Sequence, residues 1–409
     1  TICGRHAGAL HLQRKCHPGV ASPLHRLATI RASIITHSTM PPVAIEQYPA
    51  PRRSLRLAVV TETYPPEING VALSLGRMVH GLRERNHDIQ LIRPRQLPTD
   101  QAAKNPGFDE LLTGGLPIPR YPNLRMGLPA KRVLINQWLH QRPDLVHIIT
   151  EGPLGWSALQ AAAKLKIPVC SDFRTNFHSY SQHYGIGLLK KPIVAYLRKF
   201  PNRTLATLVP TEQLRGELAG AGFRNLQVIS RGVDTRLFEP KRRDPELRRR
   251  WGAEGRIPVV LHVGRIAAEK NLIALNGAFT TIRKRCPEAR LLLVGDGPEA
   301  GNLRSQWPDA IFTGMLRGET LAAHYASADI FLFPSLTETF GNVTLEAMAS
   351  GLPVVAFDYA AAGQHIRHGS NGLLAAFGNN SEFAAAAATL VDTYLDEPVR
   401  FAALGLQAR

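Results

Sequence analysis

Two glutamates, Glu338 and Glu346, are the leading candidates for chemistry and lie in the segment 334–351. Their spacing corresponds to an angular offset of about 80° on a helix, so the two carboxylates do not share one helix face. We therefore expect Glu338 in a loop and Glu346 in the first turns of the helix that follows. Carboxylates accept hydrogen bonds from sugar hydroxyls, and backbone N–H groups at the start of a helix bind phosphate oxygens. The residues alone leave open a plainer alternative, one glutamate in a loop and the other on a solvated helix face.

Two cations, Arg265 and Lys270, follow the apolar run 258–264. At the carboxyl end of a strand they could converge on a diphosphate and stabilise the charge that develops on a leaving phosphate. The loss of one such contact typically costs about 3–4 kcal/mol of transition-state stabilisation. The alternative is a pair of solvated surface charges, with Glu269 as a local partner.

Glycines mark two further turns at the ends of apolar runs. Gly70 lies where the loop after the first run enters a helical stretch, so backbone N–H groups could approach an anion there. Gly295 and Gly297 flank Asp296 in a tight turn, which is also common for conformational reasons alone. The first loop lacks the pattern G-x-G-x-x-G, which argues against a dinucleotide cofactor.

The elements that must position these residues alternate regularly along the chain. Apolar runs typical of strands buried on both faces are separated by helical patterns, which predicts parallel, doubly wound sheets. The pattern pauses over the charged stretch 231–256, which we interpret as a polar linker, and restarts at residue 258. We expect an α/β protein with two doubly wound, Rossmann-like domains facing each other across a cleft, where ligands of such sheets bind. The predicted strands are residues 55–61, 88–92, 145–149, 168–172, 205–210, 226–229, 258–264, 290–295, 311–314, 330–333 and 353–357.

Domain boundaries follow from the same pattern. We predict a basic N-terminal extension over residues 1–51 that is not part of the fold, a first domain over 52–235 and a second over 236–409. Residues 1–45 contain no Asp or Glu and superficially resemble a transit peptide. We favour the alternative that translation starts at Met40.

The composition limits the classes of function. The chain has 409 residues, 44% of them hydrophobic, and a formal net charge of +17. Such an excess of positive charge attracts anions, including phosphorylated small molecules, anionic lipids and nucleic acids. No apolar stretch reaches the roughly 18 residues that a membrane-spanning helix needs. The four cysteines show neither a disulfide framework nor metal-ligand spacing, which favours a reducing compartment.

Together, these motifs resemble the retaining GT-B glycosyltransferases of family 4 (glycosyl transferases group 1), especially mannosyl- and sulfoquinovosyltransferase-like members. The resemblance covers nearly all of residues 55–409. It rests on the order and spacing of five motifs. These are Asn69-Gly70-Val71, Arg265-x4-Lys270, Gly295-Asp296-Gly297-Pro298-Glu299, the pair Glu338 and Glu346, and Gly351-Leu352-Pro353-Val354-Val355.

The resemblance implies a nucleotide-sugar site in the cleft between the domains. Gly70 would contact the diphosphate through its backbone, while Arg265 and Lys270 would neutralise the departing nucleoside diphosphate without a metal ion or cofactor. Glu338 would bind sugar hydroxyls and Glu346 the ribose hydroxyls. The other implied donor-binding positions are Leu316, whose backbone would meet the base, and Phe340, Gly341, Asn342 and Val343.

The implied reaction moves a hexose of the mannose or glucose type from a nucleoside diphosphate to a hydroxyl of a lipid or glycan. In the family this retaining transfer is usually described as front-face substitution, with the leaving phosphate oxygen as the base. The two glutamates are therefore not assigned the roles of glycosidase carboxylates. The implied catalytic residues are Arg265, Lys270, Glu338 and Arg174.

One position departs from the family pattern. Members commonly carry a histidine in a Phe-His-Thr motif, whereas this chain reads Phe173-Arg174-Thr175. Arginine can replace a histidine that acts through its backbone carbonyl. If the side chain instead contacts the sugar, Arg174 would alter the choice of donor or add charge for a phosphate. His178 is the alternative replacement, and we prefer Arg174 because it aligns with the motif.

The basic segment 188–199 is either a membrane-surface helix or an ordinary amphipathic helix packed on the sheet. We expect a cytoplasmic protein, attached to the inner face of the membrane if the first interpretation holds. Family members usually continue into a C-terminal helix that crosses back to the first domain. Because the chain ends at Arg409, we expect this helix to be missing.

Two other functions compete with transfer. A different GT-B enzyme of the epimerase or phosphorylase type shares the fold, but there is no lysine in a pyridoxal context. A basic nucleic-acid-binding protein would explain the net charge and would not need the glutamates. Because no nucleic-acid-binding module is recognisable, we expect no nucleic-acid partner. The donor base and sugar, the acceptor and the oligomeric state are not encoded in any motif we recognise.

Overall fold

The computed structural model describes residues 54–409, except residues 68, 98, 119, 120, 175–194 and 196 and the side chains of residues 118 and 121–124. The predicted extension 1–51, His178 and most of the predicted segment 188–199 lie outside the described residues. Within the described part of the chain, no helix is long and apolar enough to cross a membrane.

The first lobe is built on an eight-stranded sheet in the order β10-β9-β8-β7-β1-β2-β4-β3, and two further strands pair as a separate antiparallel hairpin, β5-β6. Neighbouring strands of the large sheet run parallel, except β3 and β4. The bounds are β1 (Arg56–Val60), β2 (Asp88–Pro94), β3 (Lys104–Asn105), β4 (Phe108–Thr113), β5 (Gly115–Ile118), β6 (Tyr121–Gly127), β7 (Leu145–Ile148), β8 (Val169–Asp172), β9 (Ala206–Val209) and β10 (Leu226–Val228).

Helices cover both faces of this sheet, which explains the uninterrupted apolar sequence of β1. The helices are α1 (Gly70–Arg83), α2 (Lys131–His140), α3 (Pro153–Leu165) and α4 (Glu212–Gly220). Successive strand residues point to opposite faces. Leu57 and Val59 share one buried cluster with side chains of α1, whereas Ala58 and Val60 share another with side chains of α2 and α3.

The second lobe contains six parallel strands in the order β13-β12-β11-β14-β15-β16, and buried clusters lie on both faces. The strands are β11 (Val259–Val263), β12 (Arg290–Val294), β13 (Ile311–Gly314), β14 (Ile330–Phe333), β15 (Val354–Phe357) and β16 (Gly372–Ala375). The helices are α5 (Pro245–Arg250), α6 (Leu272–Arg285), α7 (Ala300–Gln306), α8 (Gly318–Ser327), α9 (Asn342–Ala349), α10 (Ala360–His365), α11 (Asn380–Asp396) and α12 (Pro398–Ala408).

The charged stretch 231–256 differs from the polar linker that the sequence indicated. It contains the 3₁₀ turn Pro240–Arg242 and helix α5, and the Arg248 side chain is buried. Arg248 Nη1 and Arg243 Nη2 each lie 2.8 Å from a carboxylate oxygen of Asp329. These partners are distant in the sequence, so a run of charges that resembles a solvated segment is in fact anchored to the second lobe.

The architecture confirms the predicted α/β class with two parallel-sheet domains. Every predicted strand is present, with each end within two residues of the predicted one. Strands β3 to β6 and β16 were not predicted. The boundary at residues 235 and 236 stays a prediction.

Candidate active site

The carboxyl ends of β11 and β14 bring Lys270 and Glu338 into direct contact. Lys270 ends the 3₁₀ turn Ala268–Lys270, and Glu338 lies in the loop between β14 and α9. The Lys270 ammonium forms an ion pair with Glu338 Oε1, and Ser335 Oγ donates a hydrogen bond to the same oxygen at 2.8 Å. The two charged side chains are only 15% and 14% exposed. Water therefore competes little for either charge.

Arg265 lies on the same loop but has a different carboxylate neighbour. Its Nη1 is 3.5 Å from Glu269 Oε1, and the side chain is 46% exposed.

The loop that carries Arg265 fits closely against the turn after β12. A Cβ at Gly295, where φ is +138°, would lie 1.9 Å from the backbone oxygen of Gly264. Glycine is thus required where the two strand ends meet.

Glu346 lies in α9, one turn into the helix, while Glu338 precedes it in the loop, as the spacing indicated. Gly341 has φ of 89° and ends the loop, so α9 begins at Asn342. The hydroxyl of Tyr325 donates to Glu346 Oε2 at 3.2 Å. Burial raises the pKa of the Glu346 carboxyl, against the opposing effects of Arg77 and Tyr325.

Arg174, at the end of β8, faces both lobes with different groups. Its backbone oxygen accepts a hydrogen bond from Thr339 Oγ1 of the second lobe at 3.2 Å. Its guanidinium turns back into the first lobe, where Nε donates to Asp172 Oδ2 at 2.7 Å and Nη1 donates to Ser74 Oγ. The carbonyl therefore points toward the loop that carries Glu338, while the side chain is engaged elsewhere.

Asp172 is the centre of this polar cluster. His147 Nε2 lies 2.8 Å from Asp172 Oδ1, and Arg174 occupies the other carboxylate oxygen. Burial by itself would raise the pKa of Asp172, but the contacts with His147 and Arg174 outweigh it and hold the pKa below its ordinary value. Asp172 is thus an ionised anchor for the Arg174 side chain. No sequence pattern indicated a role for His147, which lies in an apolar strand.

The remaining predicted positions differ in what they can offer a ligand. Gly70 is the first residue of α1, and the side chain of Asn69 caps that helix by accepting from Ala72 N at 2.8 Å. Leu316 lies between β13 and α8 and packs against the buried core of the second lobe. Phe340 is 1% exposed, so neither its ring nor its backbone is open to a ligand in this structure.

The predicted residues therefore form one close group and several separate ones. Lys270 and Glu338 are in contact, and the Arg174 carbonyl joins them through Thr339. Sequence reasoning missed the partners that hold these groups, and most of them come from distant elements. They are Ser74, His147, Asp172, Tyr325, Ser335 and Tyr359, whose hydroxyl donates to the Glu338 backbone oxygen.

Comparison with known proteins assigns this chain to a family. The profile described as Glycosyltransferase Family 4 matches residues 68–237, and the profile described as Glycosyl transferases group 1 matches residues 257–393. A GDP-mannose-dependent alpha-mannosyltransferase of Mycolicibacterium smegmatis is 36% identical over 307 residues, which is 74% of this chain and 80% of that protein. This chain belongs to glycosyltransferase family 4. The prediction of a hexosyltransferase is confirmed at the level of the enzyme class.

Other comparisons agree with the family 4 assignment. An alpha-monoglucosyldiacylglycerol synthase of Streptococcus pneumoniae is 28% identical, covering 74% of this chain and 71% of that protein. The crystal structure of Anabaena HepE in complex with UDP and glucose superimposes with a TM-score of 0.65 at 21% identity, covering 87% of this chain and 93% of HepE. The predicted GT-B fold is thereby confirmed.

Proposed function

We propose that this family 4 enzyme is a retaining hexosyltransferase that moves a mannose- or glucose-type sugar from a nucleoside diphosphate to a lipid hydroxyl. The observation that carries the proposal is the Lys270–Glu338 ion pair next to the Arg174 carbonyl. A cation for phosphate, a carboxylate for sugar hydroxyls and a backbone oxygen lie at one edge between the two lobes. This combination suits a sugar diphosphate.

In the proposed step, the acceptor oxygen forms a bond to the anomeric carbon of the sugar. It does so on the same face from which the diphosphate departs, as the bond between the anomeric carbon and the phosphate oxygen breaks. The electrons of the broken bond go to the diphosphate, and one of its oxygens takes the proton of the acceptor hydroxyl. Arg265 and Lys270 offset the growing negative charge, so the proposal includes no metal ion and no organic cofactor. Glu338 orients the sugar and Glu346 the ribose.

Two kinds of observation support the choice of substrates. The names of the relatives specify GDP-mannose for one protein and a diacylglycerol product for another. At the donor site, Gly341, Asn342 and Val343 are the residues where α9 begins, and the start of a helix favours phosphate oxygens. We therefore propose a nucleoside diphosphate hexose as donor and a diacylglycerol-type lipid as acceptor.

We further propose that the enzyme works at an anionic membrane, on its cytoplasmic face. The described end of segment 188–199 favours packing rather than lipid contact, because Leu197 is buried and Arg198 Nη1 donates to the Ala221 backbone oxygen at 3.1 Å. A better surface is the outer face of α2, which exposes Arg132, Val133 and Leu139. Residues 111–143 contain no Asp or Glu. Exposed apolar and basic side chains without acidic ones suit an anionic bilayer.

Vesicle sedimentation tests the membrane proposal. We expect binding to phosphatidylglycerol vesicles that falls with salt and is weak on phosphatidylcholine. The double variant Arg132→Glu/Leu139→Glu should lose most of this binding, whereas Arg283→Glu/Ile273→Glu, on exposed positions of α6, should keep it. Equal binding by both double variants would exclude α2 as the surface.

Transfer to diacylglycerol vesicles tests the main proposal, with UDP-glucose and GDP-mannose as donors and excess EDTA present. We expect a glycolipid whose anomeric configuration matches that of the donor, seen by mass spectrometry and NMR. Glu338→Gln should lower kcat/KM by about 10- to 100-fold through the lost charged hydrogen bond. Glu254→Gln, at an exposed position, is the matched control. An inverted product, a requirement for metal, or full activity of Glu338→Gln would contradict the proposal. If no transfer is found and the protein binds nucleic acid equally well with and without Glu338→Gln, the competing function of a nucleic-acid-binding protein would be favoured.

A further inference from the structure

Arg231 is a half-buried cation that forms no ion pair with any carboxylate among the described residues. It follows β10, and its guanidinium carbon lies 5.9 Å from the centroid of the Phe340 ring. None of the ion pairs found among the described residues includes Arg231. Burial lowers the pKa of its guanidinium to about 10, and the nearby charge of Arg174 adds to that shift, whereas the charges of Asp172 and Glu338 oppose it. Arg231 thus stays protonated at neutral pH in a place that disfavours a cation.

A cavity of about 650 Å³ opens beside this side chain. It is lined by one face of α1, the end of β8, residues 229–234 and Asn342. The Oδ1 atom of Asn342 is buried and has no hydrogen-bond partner among the described residues. The cavity therefore combines a cation and a polar atom whose interactions the protein leaves incomplete.

The acidic side chains that line the cavity are engaged elsewhere. Asp172 is held by His147 and Arg174. Asp234 Oδ1 accepts hydrogen bonds from the backbone N–H groups of Arg236 and Leu237, at 3.0 and 3.1 Å. Glu84 lies 3.3 Å from the imidazole of His80 on the exposed side of α1. None of these carboxylates forms an ion pair with Arg231, and the charges of Asp172 and Glu338 offset its positive charge only in part.

We propose that Arg231 binds an anionic oxygen group of a substrate, a carboxylate, sulfonate or phosphate distinct from the donor diphosphate. The group is carried either by the donor sugar or by the head of the acceptor. A planar guanidinium pairs with two oxygens of such a group, and the ligand relieves the cost of a desolvated charge. A neutral substrate leaves Arg231 unpaired and is therefore disfavoured. Arg231 becomes a specificity-determining residue, and this assignment rests on the proposed transfer reaction.

The location fits a role in substrate choice rather than in leaving-group stabilisation. Arg231 lies over Phe340, two residues after Glu338, whereas the proposed diphosphate ligands Arg265 and Lys270 follow β11. Its electrostatic neighbours include Arg174 and Glu338, the residues placed at the sugar. An anionic group at Arg231 would therefore lie beside the reacting sugar or beside the hydroxyl that attacks it.

Substrate pairs that differ in charge test the proposal and distinguish its two sources. The donor pair is UDP-glucose with UDP-glucuronate, and the acceptor pair is diacylglycerol with phosphatidylglycerol. In one pair the wild type should prefer the anionic member, and Arg231→Gln should reduce that preference by at least about 10-fold. Arg283→Gln, the same change at an exposed position of α6, should keep it. The same substrate preference in wild type and Arg231→Gln would overturn the proposal.

A binding measurement tests whether Arg231 binds an anion even if no transfer is found. The protein is saturated with UDP or GDP, whichever raises Tm more, so that the diphosphate positions are filled. Inorganic phosphate is then titrated by calorimetry. We expect binding that is at least about 10-fold weaker in Arg231→Gln than in wild type or Arg283→Gln. Equal phosphate binding by all three proteins would refute the anion site. Absence of transfer with every substrate would count against the proposed function alone.

Discussion

Lys270→Met removes one cation from the site and leaves the Glu338 carboxylate without its ion pair. The energy of this ion pair should lie between that of an exposed pair and that of a buried pair, because its side chains are 15% and 14% exposed. Exposed pairs contribute about 0–1 kcal/mol, whereas breaking a buried pair costs about 3–5 kcal/mol. Ser335 Oγ still donates to Glu338 in the variant, which lessens the effect. We expect the free energy of unfolding to fall by about 1.5–3 kcal/mol.

The same substitution should have a separate effect on the reaction. If the Lys270 ammonium offsets charge on the leaving diphosphate, kcat should fall by about 10²- to 10³-fold. Lys270→Met/Glu338→Gln distinguishes the two effects, because it leaves no unpaired charge. The double variant should recover at least about 1 kcal/mol of stability relative to Lys270→Met, with no recovery of activity.

Urea denaturation measures the stability of each variant, and initial rates at saturating donor measure kcat. Lys284→Met, on the exposed face of α6, is the matched control and should change neither quantity. Unchanged kcat in Lys270→Met would refute its role at the diphosphate. Equal instability of the single and double variants would refute the electrostatic argument for the ion pair.

Three further perturbations test the packing around the site. Burial, with a smaller effect from Glu151, raises the pKa of Glu62 to about 7, so the folded protein keeps a proton that the unfolded chain loses near pH 4.5. Relative to Glu62→Gln, the wild type should therefore lose about 3 kcal/mol of stability as pH rises from 4.5 to 7, measured by urea denaturation. Gly295→Ala should lower the free energy of unfolding by at least about 2 kcal/mol, measured the same way, because its Cβ meets a backbone oxygen at 1.9 Å. Asp329→Asn should cost about 3–5 kcal/mol, measured by thermal unfolding, because it leaves the buried Arg248 without its ion pair.

Matched variants serve as controls for the predictions at Gly295 and Asp329. Gly301→Ala, in α7 with open space around the new methyl group, should be neutral or slightly stabilising. Asp392→Asn breaks an exposed pair with Arg285 and should cost no more than about 1 kcal/mol. A stability difference between wild type and Glu62→Gln that does not change with pH would show that Glu62 ionises normally in the folded protein.

The elements and the family motifs were predictable because they depend on local sequence. An apolar run flanked by turn residues predicts a strand buried on both faces, and the second-lobe strand residues 330–333 needed no tertiary information. The placement of Glu338 and Glu346 was predictable for the same reason, because one loop and one helix turn separate them.

What the sequence could not determine is where side chains point and which charges are desolvated. Arg174 was a candidate for sugar contact, yet its guanidinium turns to Asp172 and Ser74 while its carbonyl faces the second lobe. The stretch 231–256 resembles a solvated linker, yet Asp329 anchors two of its arginines. In both cases the deciding partner comes from another element.

By itself, the sequence of this protein determined two doubly wound lobes and the order of the motifs along them. Only the tertiary structure decided that Lys270 contacts Glu338 and that Thr339 contacts the Arg174 carbonyl, across 68 and 165 residues of chain. It also decided that Arg231 lies half-buried without an ion-pair partner among the described residues. The physical reason is that desolvation and charge pairing depend on distances in space, which packing fixes and local sequence does not encode.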